Sequence, residues 1–221
     1  EEKLPYLRKL GIPIIASVMG HSVEEFVDVV KILDKTSGVN GFELNLSCPN
    51  VNYDALMFAH DAGMIEEVVS AVRQVTVKTV IAKLGPDVSD IAKMALAAED
   101  AGADAVSLIN TFMAMVIDVR SRKPVLGNKT GGLSGPCVRP IAVRMTWEAA
   151  KTVKIPILGI GGITDANDAL EFLIAGASAV QVGTANFTNP RAPLDVLEGI
   201  EDFMKKEKIR TLKEIIGSIK S

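Results

Sequence analysis

The feature that most restricts this chain is an alternation, sustained from residue 12 to near the C-terminus, of short β-branched runs with longer segments of helical period. Such alternation builds βαβ units, and βαβ units build a parallel sheet covered by helices. Six strands are predicted, over residues 12–18, 41–46, 79–84, 105–109, 155–159 and 179–182. Helices are predicted over 22–33, 64–75, 88–101, 139–153, 166–175 and 193–206, with a closing helix over 212–219 and a helical stretch in 1–10 that runs into the first strand. Ser22 followed by Glu25 reads as a capping box. Ala101-Gly102-Ala103 and Ala175-Gly176-Ala177 repeat one punctuation, a glycine ending a helix just before a strand. Six like units are two short of the eight that close a (β/α)8 barrel. The fold class is therefore read as α/β, a (β/α)8 TIM barrel with about six of its eight units present; a complete open sheet is the alternative. No linker or composition break divides residues 1–221, so a single, N-terminally incomplete domain is expected.

Composition removes several classes of function. Of 221 residues 48% are hydrophobic, enough for one sizeable core, and the formal net charge is −3. The 24 basic residues are scattered. Only Lys205, Lys206 and Lys208 cluster, so no basic stripe invites nucleic acid. Apolar runs such as 155–160, broken by Pro156, fall far short of the ~20 residues of a membrane span, and no signal peptide is apparent. A cytoplasmic location is expected. Two cysteines, Cys48 and Cys137, make neither a disulfide framework nor a zinc spacing.

The segment 41–47 alternates strictly, with Phe42, Leu44 and Leu46 on one face and Glu43, Asn45 and Ser47 on the other. Strands of parallel sheets are normally apolar on both faces, so a polar face under helices needs either a ligand in the barrel mouth or a polar network serving the fold. Cys48 and Asn50 follow at the C-terminal end of the strand, where barrel enzymes keep their active sites. Lys83 lies within the next strand and must meet an anion, either Glu43 or an electron-rich ligand. Asn110 and Thr111 end the fourth strand after Ile109, and the run 127–136 holds more glycines than a turn requires. The last two strands end in Gly161-Gly162 and Gly183-Thr184, about 21 residues apart. Paired glycine loops after the final strands, with a short helix N-terminus, form the phosphate site of many barrels.

Taken together, Glu43-Leu44-Asn45-Leu46-Ser47-Cys48-Pro49-Asn50, Ile109-Asn110-Thr111, the run Lys123-Pro124-Val125-Leu126-Gly127-Asn128-Lys129-Thr130-Gly131-Gly132-Leu133-Ser134-Gly135 and the closing glycine pairs resemble dihydroorotate dehydrogenase, over essentially the whole chain. The Lys-Pro-Val-Leu-Gly-Asn-Lys-Thr-Gly-Gly run points to the NAD-linked type (class 1B). The resemblance implies an FMN-bearing catalytic subunit that oxidises dihydroorotate to orotate in pyrimidine (UMP) biosynthesis. Its electrons would pass to NAD through a partner subunit holding FAD and a 2Fe–2S cluster, and the catalytic subunit would form a homodimer. It implies Cys48 as the base that removes the C5 proton while a hydride leaves C6. Asn45, Asn50, Asn110 and Thr111 would hold the substrate. Ser17, Asn45, Lys83, Ile109, Gly135, Gly161, Gly162, Gly183 and Thr184 would hold the FMN, the last four around its phosphate and Lys83 against the reduced ring.

This sequence departs from the resembling family in three places. The first two β/α units have no counterpart, so a chain of this extent is expected to bind FMN weakly on its own. Ser17 stands where relatives commonly have Asn, and residues 52–62 replace a glycine-rich loop ending in Phe-Gly-Thr-Asp-Pro. A phosphate-binding barrel lyase or isomerase would share the glycine loops without needing Asn45, Cys48 and Asn50. A non-catalytic fragment would share all of the motifs without turnover.

Overall fold

The computed structural model describes residues 3–47 and 60–220. Six strands, β1 (Ile15–Val18), β2 (Gly41–Asn45), β3 (Thr79–Leu84), β4 (Ala105–Leu108), β9 (Ile157–Ile160) and β10 (Ala179–Gln181), pair in parallel in the order β1-β2-β3-β4-β9-β10. Between β4 and β9 the chain makes an excursion of short antiparallel pieces, β5 (Phe112–Ala114) with β8 (Gly131–Leu133) and β6 (Ile117–Asp118) with β7 (Lys123–Pro124). The helices are α1 (Leu4–Arg8), α2 (Val23–Asp34), α3 (Ala62–Arg73), α4 (Ile91–Asp100), α5 (Arg139–Ala150), α6 (Ala166–Ala175), α7 (Ala185–Thr188) and α8 (Ala192–Lys206). A parallel sheet of six strands in chain order with its crossover helices is a partial (β/α)8 barrel, and β1 and β10 are its two edges.

Register separates the two faces. Glu43 faces Ser17 on β1, Asn45 faces Lys83 on β3, Lys83 faces Ser107 on β4, and Ser107 faces Leu158 on β9. These side chains share the concave face. The alternate residues Val18, Phe42, Leu44, Val80, Ala82, Leu84, Val106 and Leu108 are buried against the helical shell. The helices answer with apolar stripes at helical spacing, Phe26 and Val30 on α2 and Ile65, Val68, Val69 and Val72 on α3. At the opposite end from the glycine turns, Arg73 joins two loops. Its Nη1 lies 2.8 Å from Asp104 Oδ2 and its Nη2 donates to the carbonyls of Thr76 and Lys78 at 2.7 and 2.6 Å.

Strand and helix limits differ from the sequence reading where the backbone cannot comply. Pro13 and Pro156 lack a ladder donor, so β1 and β9 begin after them. Ser22 does cap α2 by accepting from Glu25 N, but the Glu25 carboxylate reaches one residue further back, to His21 N at 2.7 Å. The closing helix does not form. Residues 212–214 make one 3-10 turn, Gly217 takes φ +68°, and its amide bonds Leu173 O at 3.0 Å, so the tail lies down on α6.

Shell and sheet approach tightly at Gly159, where a Cβ would stand 2.5 Å from Phe172 Cδ1 and 2.9 Å from Phe172 Cβ. Phe172 is fully buried, so its ring has nowhere to go. Gly159→Ala is expected to lower stability by about 1–3 kcal/mol, the cost of overpacking a filled core; chemical denaturation of the two proteins measures it.

Candidate functional site

The end of β3 and the segments that follow β4, β8, β9 and β10 converge on one cavity of about 380 Å³ at the C-terminal ends of the strands. Lys83, Ile109, Asn110, Thr111, Gly135, Gly161, Gly162, Gly183 and Thr184 all line it. Of the other nominated residues, Ser17 is exposed on edge strand β1 and Asn45, on β2, stands level with Lys83, and neither lines the cavity. Cys48 and Asn50 lie outside the described residues. Sequence reasoning passed over Ser134, Ile160, Thr164, Ala185 and Thr188, which also line the cavity. Ser134 could have been found inside the glycine-rich run; Thr164 and Thr188 carry no local signal.

The glycine turns meet because each lacks a side chain where another segment passes. Gly162 has φ +80°, and a Cβ on it would fall 2.7 Å from Gly135 O and 3.0 Å from Arg139 N. Gly161 has φ +132°, a region that side chains rarely tolerate. Thr184 Oγ1 donates to Ser134 Oγ at 2.9 Å, tying the turn after β10 to the segment before Gly135. Among the described residues the amides of Gly161, Gly162, Gly183 and Thr184 donate to no backbone acceptor. Unspent amides on open glycines form an anion-binding concavity.

Asp168 fixes the shape of the turn after β9. It is buried, and its Oδ2 accepts from Thr164 N at 2.8 Å, Thr164 Oγ1 at 2.6 Å and Asp165 N at 3.3 Å. Asp165 returns the favour to Asp168 N at 3.0 Å, a capping box that starts α6, and Arg139 pairs with the other carboxylate oxygen from the start of α5.

At the other side of the cavity the amide of Asn110 is committed. Its Nδ2 lies 2.9 Å from each of Asn45 Oδ1, Ser47 O and Ser47 Oγ, and its Oδ1 accepts from Thr111 N at 2.8 Å. Two N–H groups before three acceptors, with the carbonyl oxygen held by a backbone amide, leave one orientation for this side chain. Below it, Glu43 Oε1 accepts from Ser107 Oγ at 2.9 Å and from Gln181 Nε2 at 2.8 Å. The polar face expected of segment 41–47 thus points into the barrel and is hydrogen-bonded there. Cys137 is exposed, its thiol 3.7 Å from Ser134 O, because the 3-10 turn Pro136–Val138 turns Val138 inward instead.

A partial (β/α) barrel with glycine turns after its last two strands and a committed amide cluster after its second and fourth has groups that could hold an anionic, phosphate-bearing ligand. The comparisons narrow this further. The dihydroorotate dehydrogenase family profile matches residues 1–204, and the chain belongs to that family, whose members are flavin-dependent. The dihydroorotate dehydrogenase B (NAD(+)) catalytic subunit of Geotalea uraniireducens is 49% identical over 219 residues, 99% of this chain and 72% of its own length. The subunit of the same name from Thermodesulfovibrio yellowstonii is 50% identical over 220 residues, all of this chain and 73% of its own. That of Caldicellulosiruptor bescii is 50% identical over 218 residues. No helix among the described residues is long and apolar enough to cross a membrane.

Because Gly162 combines a left-handed φ with contact to Gly135 O, Gly162→Ala must displace one of the two turns. A loss of anionic-ligand affinity of about tenfold or more is expected, since roughly 1–3 kcal/mol of overpacking falls on the binding surface itself. Equilibrium titration with FMN measures it, and unchanged affinity would separate this turn from the binding site.

Proposed function

We propose that this chain is the FMN-bearing catalytic subunit of an NAD-linked dihydroorotate dehydrogenase. It oxidises dihydroorotate to orotate in pyrimidine biosynthesis, and its electrons leave for NAD through a partner subunit holding FAD and a 2Fe–2S cluster. One observation carries the reading. Nine residues nominated for flavin or substrate, drawn from five separate segments, line a single cavity in a chain about half identical to such catalytic subunits from end to end.

The residues fit the cofactor. A cavity of about 380 Å³ falls within the range that small cofactors occupy. Gly161, Gly162, Gly183 and Thr184 would hold the phosphate through amides that no other group uses. FMN, when bound, accepts the hydride that leaves C6 of the substrate. The chain supplies what surrounds that transfer. Lys83 presents a cation toward the cavity from β3, and Ile109 and Gly135 shape the wall that the ring would meet. Asn110 and Asn45, locked to each other, form a pre-oriented amide pair that suits the donors and acceptors of a cyclic imide. Asn50 and Thr111 complete the substrate set, Ser17 is a further flavin contact, and Cys48 is the base that takes the C5 proton. A homodimer of this subunit and a cytoplasmic location belong to the same proposal.

Two measurements test it. Supplied with FMN, the protein should take it up and bleach anaerobically with dihydroorotate, whereas a barrel lyase or isomerase would take up no flavin. Cys48→Ser should slow flavin reduction about 10²-fold or more at neutral pH, the range general-base catalysis contributes, because a hydroxyl gives up its proton far less readily than a thiol. Cys137→Ser should change the rate little. Reduction at the parent rate by Cys48→Ser would remove the base assignment.

A further inference from the structure

We propose that Glu43 is a positioning residue that sets how readily the flavin beside Lys83 takes up electrons; the inference rests on the flavin reading above. Among the strand residues whose register places them on the concave face, Glu43 and Lys83 are the two ionisable side chains. They stand on adjacent strands, Lys83 opposite Asn45 and Glu43 opposite Ile81, two residues nearer the barrel floor. Glu43 is on β2 and Ser107 on β4, with β3 between them, so their 2.9 Å hydrogen bond has to pass over β3. Neighbouring strands lie roughly 4.8 Å apart, so the carboxylate must extend across β3 to make that bond. Ser107 is the register partner of Lys83 itself. The carboxylate, rooted lower on β2, is therefore held up toward the register level of Lys83.

Gln181 holds the same oxygen from the far wall at 2.8 Å, so the group is clamped between β4 and β10 rather than free to swing toward the open edge. An oxygen that takes two donors, a hydroxyl and an amide, acts as the acceptor a carboxylate supplies. A fixed negative charge near that level opposes the negative charge that a flavin acquires on reduction, where Lys83 favours it. Their opposition in a partly desolvated interior tunes the electron affinity of the ring. Neither residue need touch the other for this to hold.

Replacing Glu43 by Gln keeps the shape and an amide oxygen for Ser107 while removing the charge. In the FMN-reconstituted protein, Glu43→Gln is expected to raise the ratio of reduced to oxidised flavin, at a fixed poise set by a reference dye, on the order of tenfold. Tenfold corresponds to about 1.4 kcal/mol of charge–charge energy. Lys83→Met should move the ratio the other way. A ratio unchanged in flavin-loaded Glu43→Gln, even with a lowered melting temperature, makes Glu43 a structural residue only and overturns the inference while leaving the flavin reading intact. Failure of the parent protein to take up added FMN overturns both. If Glu43→Gln does not fold, Gln181→Lys is read instead. It brings a cation to the same carboxylate from edge strand β10 and should raise the ratio likewise, and no change there overturns the inference.

Discussion

A carboxylate on the inner face of a helix-covered sheet has to find donors within that interior or give up its charge. Glu43 finds them on two strands that are distant from it in the sheet order. The hydrogen bonds from Ser107 on β4 and Gln181 on β10 join the first half of the sheet to the last across its hollow. Everything above depends on this junction. It holds the inner face of β2 in one register, and that register sets Asn45 against Lys83 and carries Ser47 up to meet Asn110. Slipping β2 by one residue would turn Glu43, Asn45 and Ser47 into the apolar shell and bring Phe42 and Leu44 inward, so the alternation fixes the register.

The other side of the site is made from backbone. Gly162 admits the carbonyl of Gly135, Thr184 reaches Ser134, and Asp168 shapes the turn from below while starting α6 and pairing with Arg139. Side chains could not have been used at the contact itself, because the segments approach within a Cβ radius. What a side chain contributes here is buried beneath the amides. The two halves differ accordingly: one offers amide groups and a cation on strand ends, the other offers bare N–H groups, and a ligand with a polar ring and a phosphate tail matches that division.

The parallel strands were legible because β-branched runs between helical segments have few other uses, and the polar face of β2 was legible because it broke the apolar habit of such strands. The partners of that face were not. Ser107 looks like any small residue in a buried strand, and Gln181 sits in a run with no polar period; only the closing curvature brings them to Glu43. Of the antiparallel excursion only residues 127–136 were read, as a glycine-rich loop, since β5 to β8 are two or three residues long and two of them carry glycine or proline. The closing helix failed for a tertiary reason: Ile215 is buried and the Gly217 amide is bonded to Leu173, so contact with α6 outweighs local helical period. Asn110 was legible as a site residue, but not that its amide is already engaged by Asn45 and Ser47.

The tight seat of Phe172 on Gly159, with the tail pinned across α6 and the capping network at its start, makes β9 and α6 a dense block. Edge strand β1 is covered less, with Ile15 42% exposed and Val18 its buried residue. Regions with few buried contacts open at lower free energy than the body of a domain. Fluctuations therefore start at β1 and spread toward β2, so amide exchange should run fastest there while the glycine turns stay closed. The molecule then has a hard end that carries the glycine turns and a soft end at β1, and a ligand lying across both would stiffen the soft end by bridging it to the hard one.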